Sequence, residues 1–201
     1  MAKMTLLEMT QNILSSMDSD DVNSISDTSE SLQVASVIQE TFYEQFLNRA
    51  LPEGESLVQL TALADTNRPN YLQIPDNVLS IKWFKYDDQS NGDGSYNDVL
   101  WQDPESFLFH MTSTSVGQEN VQVVQDFSGA NIAIWTNQAP TIWTTFDDKY
   151  IVTNGYNSAT EATLQSSRSL CWGQTDPTFD LSDSSIAPID SNLFPLLLAE
   201  A

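Results

Sequence analysis

The spacing of apolar residues changes once along this chain, from a period near 3.6 to a period of two. Leu6, Met9, Ile13 and Met17, with Leu7 and Leu14 beside them, recur at helical spacing. Thr5-Leu6-Leu7-Glu8 has capping-box spacing, so Thr5 can serve the first free amides while Glu8 reaches back. Residues 18–27 are polar and acidic, a natural connector. A second helix is predicted from Asp27-Thr28-Ser29-Glu30, where a cap and early negative charge oppose the orphan N–H groups. Its apolar stripe is Val34, Val37, Ile38, Phe42 and Phe46, and Pro52 and Gly54 end it. Two helices with so short a link predict an antiparallel hairpin.

From Leu57 onward the pattern alternates. Leu57 to Leu63, then Tyr71, Leu72 and Ile74, then Leu79 to Tyr86 read as strands, with Leu79, Ile81 and Trp83 sharing one face. Residues 87–95 are a Gly/Asp/Asn/Ser loop, and Tyr96 to Trp101 is the returning strand. Asp103-Pro104-Glu105 opens a short helix through about Met111, with Pro at its first position. Strands follow at Val121–Phe127, Asn131–Thr136, Thr141–Phe146 and Lys149–Thr153, with turns at Ser128-Gly129 and Asp147-Asp148 and a further turn at Asn154-Gly155. Residues 161–173 are read as a helix, with Leu164, Arg168, Cys171 and Trp172 on one face and Gly173 as its C-cap. Residues 174–189, rich in Pro and Asp, are an extended loop. Asp190-Ser191 then caps an apolar helix containing Leu193, Phe194, Leu196, Leu197 and Leu198, which runs to Ala201 and predicts that the natural chain continues. The fold class expected is α+β: a helical hairpin (1–54) and a C-terminal helix form a helical bundle. An antiparallel β-rich region (55–160) is inserted, with a short helix near 103–111, and residues 161–201 pack with 1–54.

Charge narrows the functional classes. The 201 residues carry 28 acids against 7 bases, a net charge of -21. The bases, Lys3, Arg49, Arg68, Lys82, Lys85, Lys149 and Arg168, are scattered in sequence, which works against binding a polyanion. A single cysteine, Cys171, precludes an internal disulfide and fits a reducing compartment. The N-terminus lacks a signal-peptide core, and no run approaches the roughly 18 apolar residues that span a bilayer.

Candidate chemistry is thin. Asp87 to Asp98 loosely matches a calcium loop, with Asp87, Asn91, Asp93 and Asp98 at ligand-like positions and Gly92 at the turn. Position three is Gln, and the last ligand is Asp rather than a bidentate Glu. A solvated hairpin loop needs the same composition. His110, the one histidine, falls at a helix end rather than in the setting of a general base. Cys171 beside Leu170 and Trp172 reads as an inert buried thiol. The acid pairs Asp20/Asp21, Asp87/Asp88 and Asp147/Asp148 sit in turns, unlike the two carboxyls a glycosidase holds across a cleft. No catalytic residue, metal or cofactor is expected. The five tryptophans, Trp83, Trp101, Trp135, Trp143 and Trp172, read as core or subunit interface, or else as a sugar-stacking platform.

Three segments carry a resemblance. Residues 5–28, TLLEMTQNILSSMDSDDVNSISDT, look like the opening helix and acidic link of a phage structural family. Trp143-Thr-Thr-Phe-Asp-Asp-Lys-Tyr-Ile151 is similar to its central hairpin, and residues 192–201, NLFPLLLAEA, resemble the start of its C-terminal helix. The matches occur in order across nearly the whole chain. The family is the head-to-tail adaptors (connector or neck proteins) of short-tailed and related bacteriophages. The resemblance implies a structural virion protein, not an enzyme, made in the host cytoplasm and sited in the neck or tail. Copies would form a ring of about twelve, closed as cyclic assemblies are. Its partners would be the portal protein, tail or nozzle proteins, and genomic DNA passing through without specific binding, with no membrane. The aromatic faces of residues 140–158 would be buried in the β core or against a neighbour. The interface candidates are Trp135, Trp143, Phe146, Tyr150, Phe194 and Leu197. The alternative class is a tail-associated glycan- or receptor-binding module using Trp135 or Trp143.

Overall fold

The computed structural model describes residues 3–47, 54–89, 94–112 and 117–201. It is an α+β chain with helices α1 (Leu6–Ser16), α2 (Ser29–Phe42), α3 (Pro104–Thr112) and α4 (Phe194–Glu200). The chain divides into two compact units, one joining Met1–Glu55 to Asp176–Ala201 and the other spanning Ser56–Thr175.

In the first unit, local capping and a shared core fix the helices. Glu8 N donates to Thr5 Oγ1 at 3.2 Å and Thr5 N to Glu8 Oε2 at 2.8 Å, the reciprocal pair that the spacing predicts. The next free amides of α1, those of Leu6 and Leu7, donate to Ser185 O and Asp183 O. Thr28 caps α2, but its reciprocal partner is Ser31 rather than an acid. Leu6, Met9, Ala35, Ile38, Phe42, Phe194 and Leu197 are fully or almost fully buried in one core with Ile25, Phe179 and Ile189. The stripe of α2 is rotated from the expected one. Ser31 and Ala35 are buried while Val37 is exposed, because small side chains occupy the face closest to the core. Met17, expected inside, is exposed as the C-cap of α1. A π-helical turn, Tyr43–Leu47, continues α2; the expected stop at Pro52 lies outside the described residues. α4 starts at Phe194 with Leu193 as N-cap and no side-chain cap, so Asp190 and Ser191 do not cap it directly. Residues 176–193 lack helices and strands, yet they are pinned. Gln39 Nε2 donates to Phe179 O at 2.6 Å, and Ile25 N donates to Asp183 Oδ1 at 2.8 Å.

Among the described residues the second unit holds ten strands: β1 (Glu55–Val58), β2 (Thr61–Ala62), β3 (Tyr71–Gln73), β4 (Val78–Asp87), β5 (Tyr96–Trp101), β6 (Val121–Gln125), β7 (Asn131–Trp135), β8 (Ile142–Thr144), β9 (Tyr150–Thr153) and β10 (Ser169–Thr175). Eight of them form a mixed sheet, larger than the sequence pattern implies, ordered β1-β10-β4-β5-β8-β9-β3-β2. β5 and β8 run parallel, the crossover between them carrying α3 and the separate β6–β7 hairpin.

Two sequence expectations are overturned here. Residues 161–173 are not a helix: a 3-10 turn at Ser166–Arg168 leads into β10, which pairs with β4 from Ser169↔Tyr86 to Thr175↔Val78. Period two wins because Cys171 is buried on one face while Trp172 stacks on Trp83 from the other, with rings 6.3 Å apart and 8° from parallel. Gly173 is not a C-cap but a close-approach glycine, since a Cβ there would lie 2.5 Å from Ser80 O. On β4, Leu79, Ile81 and Trp83 do not share a face: register shifts against β10 skip Lys82 and Leu79, and Ile81 packs against the core. Phe84 and Tyr86 supply the core, and Leu79 and Trp83 are exposed.

Candidate functional site

The stretch from Pro140 to Ser158 forms the aromatic centre of the sheet unit. β8 and β9 make the expected hairpin, with Trp143 opposite Thr153 and Thr144 opposite Val152. Its turn works as an Asx turn: Asp147 Oδ1 accepts from Lys149 N and Tyr150 N, and Asp148 takes a left-handed conformation with φ 57°. Asn154-Gly155, expected as a second turn, is a buried crossing instead. Trp135 N donates to Asn154 O and Tyr156 N to Trp135 O, both at 3.0 Å. Glycine is required there because a Cβ would meet Trp135 O at 2.8 Å. The Asn154 side chain accepts from the amides of Thr141 and Ile142, registering the start of β8.

The interface candidates do not come together. Trp143 is 3% exposed, edge-on to Phe84, and its indole N–H has no acceptor. Phe194 and Leu197 lie wholly inside the core of the first unit. These three side chains are spent within the chain and offer a neighbour no surface, which corrects their assignment as interface residues. Trp135, Phe146 and Tyr150 are half-buried.

Phe146 and Tyr150 line an open cavity of about 250 Å³ with Tyr71, Asp126, Phe127 and Asp147. Tyr150 stacks on Phe127 at 4.6 Å, and the Arg68 guanidinium lies 4.2 Å over the same Phe127 ring. Tyr71 donates from its hydroxyl to Asp126 Oδ1 at 2.8 Å, and Ser128 N donates to Oδ2 at 2.8 Å. Burial pushes the Asp126 carboxyl up, but the hydrogen bonds from Ser128 and Tyr71 outweigh it and hold the group below its ordinary value. Burial, with Asp126 beside it, pushes the Tyr71 hydroxyl far above the ordinary tyrosine range. Asp126 therefore stays a charged acceptor and Tyr71 a neutral donor, a structural lock rather than an acid–base pair. Sequence pattern missed Tyr71, Arg68 and Phe127, which meet only through tertiary pairing; the Asp126-Phe127-Ser128-Gly129 turn was the one local signal.

A second buried polar group lies under β4. Tyr86 donates to both Glu161 carboxylate oxygens at 2.8 Å and accepts from Gln165 N at 2.9 Å, while Arg168 Nη1 is 3.2 Å from Glu161 Oε2. Burial pushes the Glu161 carboxyl up, and Tyr86 and Arg168 recover only part of the shift. This network straps residues 161–168 to the sheet.

Two of the calcium-loop candidates are otherwise engaged. Asp87 is 5% exposed and accepts from Gln89 N and Gly94 N, closing its own loop, while Asp98 pairs with Lys85 at 3.1 Å. Asn91 and Asp93 lie outside the described residues. Among the described residues no three His, Cys, Asp or Glu side chains gather as a metal site. His110 is exposed in the last turn of α3, and Cys171 is buried, its thiol pushed up to about 12 by desolvation. Among the described residues no helix is long and apolar enough to cross a membrane. No protein-family model matches this chain, and no curated protein matches it.

Proposed function

We propose that the chain is a head-to-tail adaptor of a tailed bacteriophage, a structural protein whose copies form a ring between portal and tail and extend the DNA channel. The observation that carries this reading is the core shared by α1, α2 and α4. The two segments that resemble the ends of an adaptor lie at opposite ends of this sequence, yet their side chains pack together. We read the first unit as a helical bundle interrupted by the sheet unit, the layout the adaptor resemblance implies. The buried polar groups fit a framework too, because Tyr71–Asp126 and Tyr86–Glu161–Arg168 fix segments to the sheet and leave no nucleophile poised.

The charge supplies a mechanism for the channel. A ring of chains at -21 each presents DNA with like charge, so the duplex passes without adhering. The test is light scattering after size exclusion, with the chain alone and with a portal ring. Co-elution with the portal is expected; failure to bind any portal ring overturns the adaptor reading. A monomeric state of the chain alone does not, since an adaptor can assemble on its template.

One observation favours the second reading, a glycan-binding module. Trp83 and Trp172 form a pair of nearly parallel indoles on the outer face of the sheet, with Lys85 Nζ 5.7 Å from the Trp83 ring centre. Such a pair can stack on the apolar face of a sugar. A glycan-array signal lost on Trp83→Ala and kept on Trp135→Ala would select this reading, with the platform moved from the residues first expected to carry it.

A further inference from the structure

We infer that the cavity opened where β4 and β5 part is a subsite for a sugar ring. The inference goes beyond the adaptor reading, which needs no ligand. From the glycan reading it takes only the ligand class, and it seats the ring among residues that include neither Trp83 nor Trp172.

The strand pairing creates the space. β5 lies beside β4 only over Phe84–Asp87, then joins β8 in parallel, with Leu100 opposite Ile142 and Trp101 opposite Trp143. Where the strands part lies a cavity of about 310 Å³, at the small end of the range for ligand pockets, ~300–1,000 Å³. Leu79, Ser80 and Ile81 line it from β4, Trp101 from β5, Trp143 from β8, and Thr145 and Asp148 from the hairpin turn.

The polar groups of this cavity have bonding capacity to spare. Trp143, too enclosed to meet a protein surface, lines it, and the buried indole N–H has no acceptor. A buried donor left unpaired is costly. Asp148 N donates to Thr145 Oγ1 at 2.9 Å. Among the described residues the Asp148 carboxylate, the Thr145 hydroxyl proton and the Ser80 hydroxyl have no partner.

These groups select the chemistry of the occupant. An indole N–H can only donate and a carboxylate can only accept, whereas a hydroxyl does either. The occupant must therefore carry acceptors and donors together on a small frame. An apolar molecule would leave Trp143 and Asp148 unmatched. An anion would face the Asp148 carboxylate on a chain of net charge -21, and a simple ammonium ion accepts nothing from the indole. A pyranose supplies both functions: one oxygen accepts from Trp143, one hydroxyl donates to Asp148, and Ser80 and Thr145 serve the others. Its C–H face also needs an apolar plane, and Trp101, 58% exposed, provides one in the cavity wall.

The full chain is tested on a glycan array and by titration with the methyl glycosides of glucose, galactose and N-acetylglucosamine. In 15N-labelled protein the Trp143 indole signal, assigned through its contact with Phe84, should move downfield on saturation with a glycoside or with an oligosaccharide the array selects. Trp101→Ala removes an exposed ring and should weaken binding at least about tenfold. Asp148→Asn, a residue that tolerates the left-handed φ of 57° there, should weaken it about five- to tenfold. Both variants should keep the parent's urea midpoint, and Trp83→Ala should bind as the parent does. Glycoside binding identifies a free ring as sufficient. An array signal alone, with the same dependence on Trp101 and Asp148, identifies a ring within a polysaccharide. Binding that survives Trp101→Ala, or a Trp143 signal unmoved at saturation, overturns the inference. Loss on Trp83→Ala with Trp101→Ala still binding leaves the glycan reading standing, with its site on the Trp83–Trp172 pair. Binding to no glycan overturns both, while the adaptor reading is decided separately by co-elution with the portal.

Discussion

Replacing Arg168 by methionine separates the electrostatic role of the Tyr86–Glu161–Arg168 network from its packing. The substitution keeps much of the apolar stem and removes the charge. The side chains of Glu161 and Arg168 are 5% and 18% exposed, so the pair is largely withdrawn from water. Removing one partner from a fully buried pair costs about 3–5 kcal/mol. Arg168 retains some solvent, which lowers the expected loss to about 2–3 kcal/mol, or roughly 6–9 °C in Tm at about 3 °C per kcal/mol for a chain of this size. The loss must also depend on pH. Burial holds the folded-state Glu161 carboxyl above its ordinary value. Its contribution to stability is therefore fullest below the unfolded value and is lost as pH rises through the folded one. Without Arg168 the folded value climbs further, so the deficit against the parent chain should shrink between about pH 7 and about pH 5. Urea unfolding followed by tryptophan fluorescence at both pH values measures it. An equal deficit at both pH values, or a loss under about 0.5 kcal/mol, would refute the reasoning.

Four further outcomes are expected. Gly173→Ala drives a methyl against the Ser80 carbonyl and should cost about 1–3 kcal/mol, with loss of near-ultraviolet signal from the Trp83–Trp172 pair; a neutral result removes the close-approach argument. Gly129→Ala has open space but φ +88°, so conformational strain alone should cost about 1 kcal/mol, and its near-ultraviolet spectrum should be unchanged. Thr28→Ala leaves the Ser31 amide uncapped and should lower stability by about 1 kcal/mol in urea titration, while Val37→Ala, at an exposed position, should change it much less. Cys171 should resist a thiol reagent at about pH 8 until the protein is unfolded; rapid labelling of the native chain would show that the thiol is not buried.

The sequence was most legible where local chemistry decides structure. The Thr5–Glu8 capping box, the Asp103 start of α3 and the hairpin at Asp147–Asp148 are written in neighbouring residues. Where several apolar residues could fit either period, tertiary pairing chose between them. Leu164, Cys171 and Trp172 suit a helical face, but the edge of β4 away from β5 drew residues 169–175 into the sheet. The phase of β4 was illegible for a related reason. Leu79-Ser-Ile-Lys-Trp-Phe-Lys-Tyr86 has aromatic residues at both parities, and only the sheet shows that Phe84 and Tyr86 point inward. Asn154-Gly155 has turn composition, yet its glycine answers to the carbonyl of Trp135, about twenty residues earlier and invisible to a local reading. The polar locks failed to appear for the same cause, since Tyr71 meets Asp126 and Tyr86 meets Glu161 across long separations.

The chain enters the large sheet on β1 and leaves it on β10, and these two strands are neighbours. A module whose entry and exit lie side by side can be exchanged as a cassette: one sheet may be lengthened, replaced or removed in evolution while the helices at either end keep their own core. Recombination at residues near 55 and 176 is then the natural seam, and chimaeras joined there should fold where chimaeras cut within β4 should not.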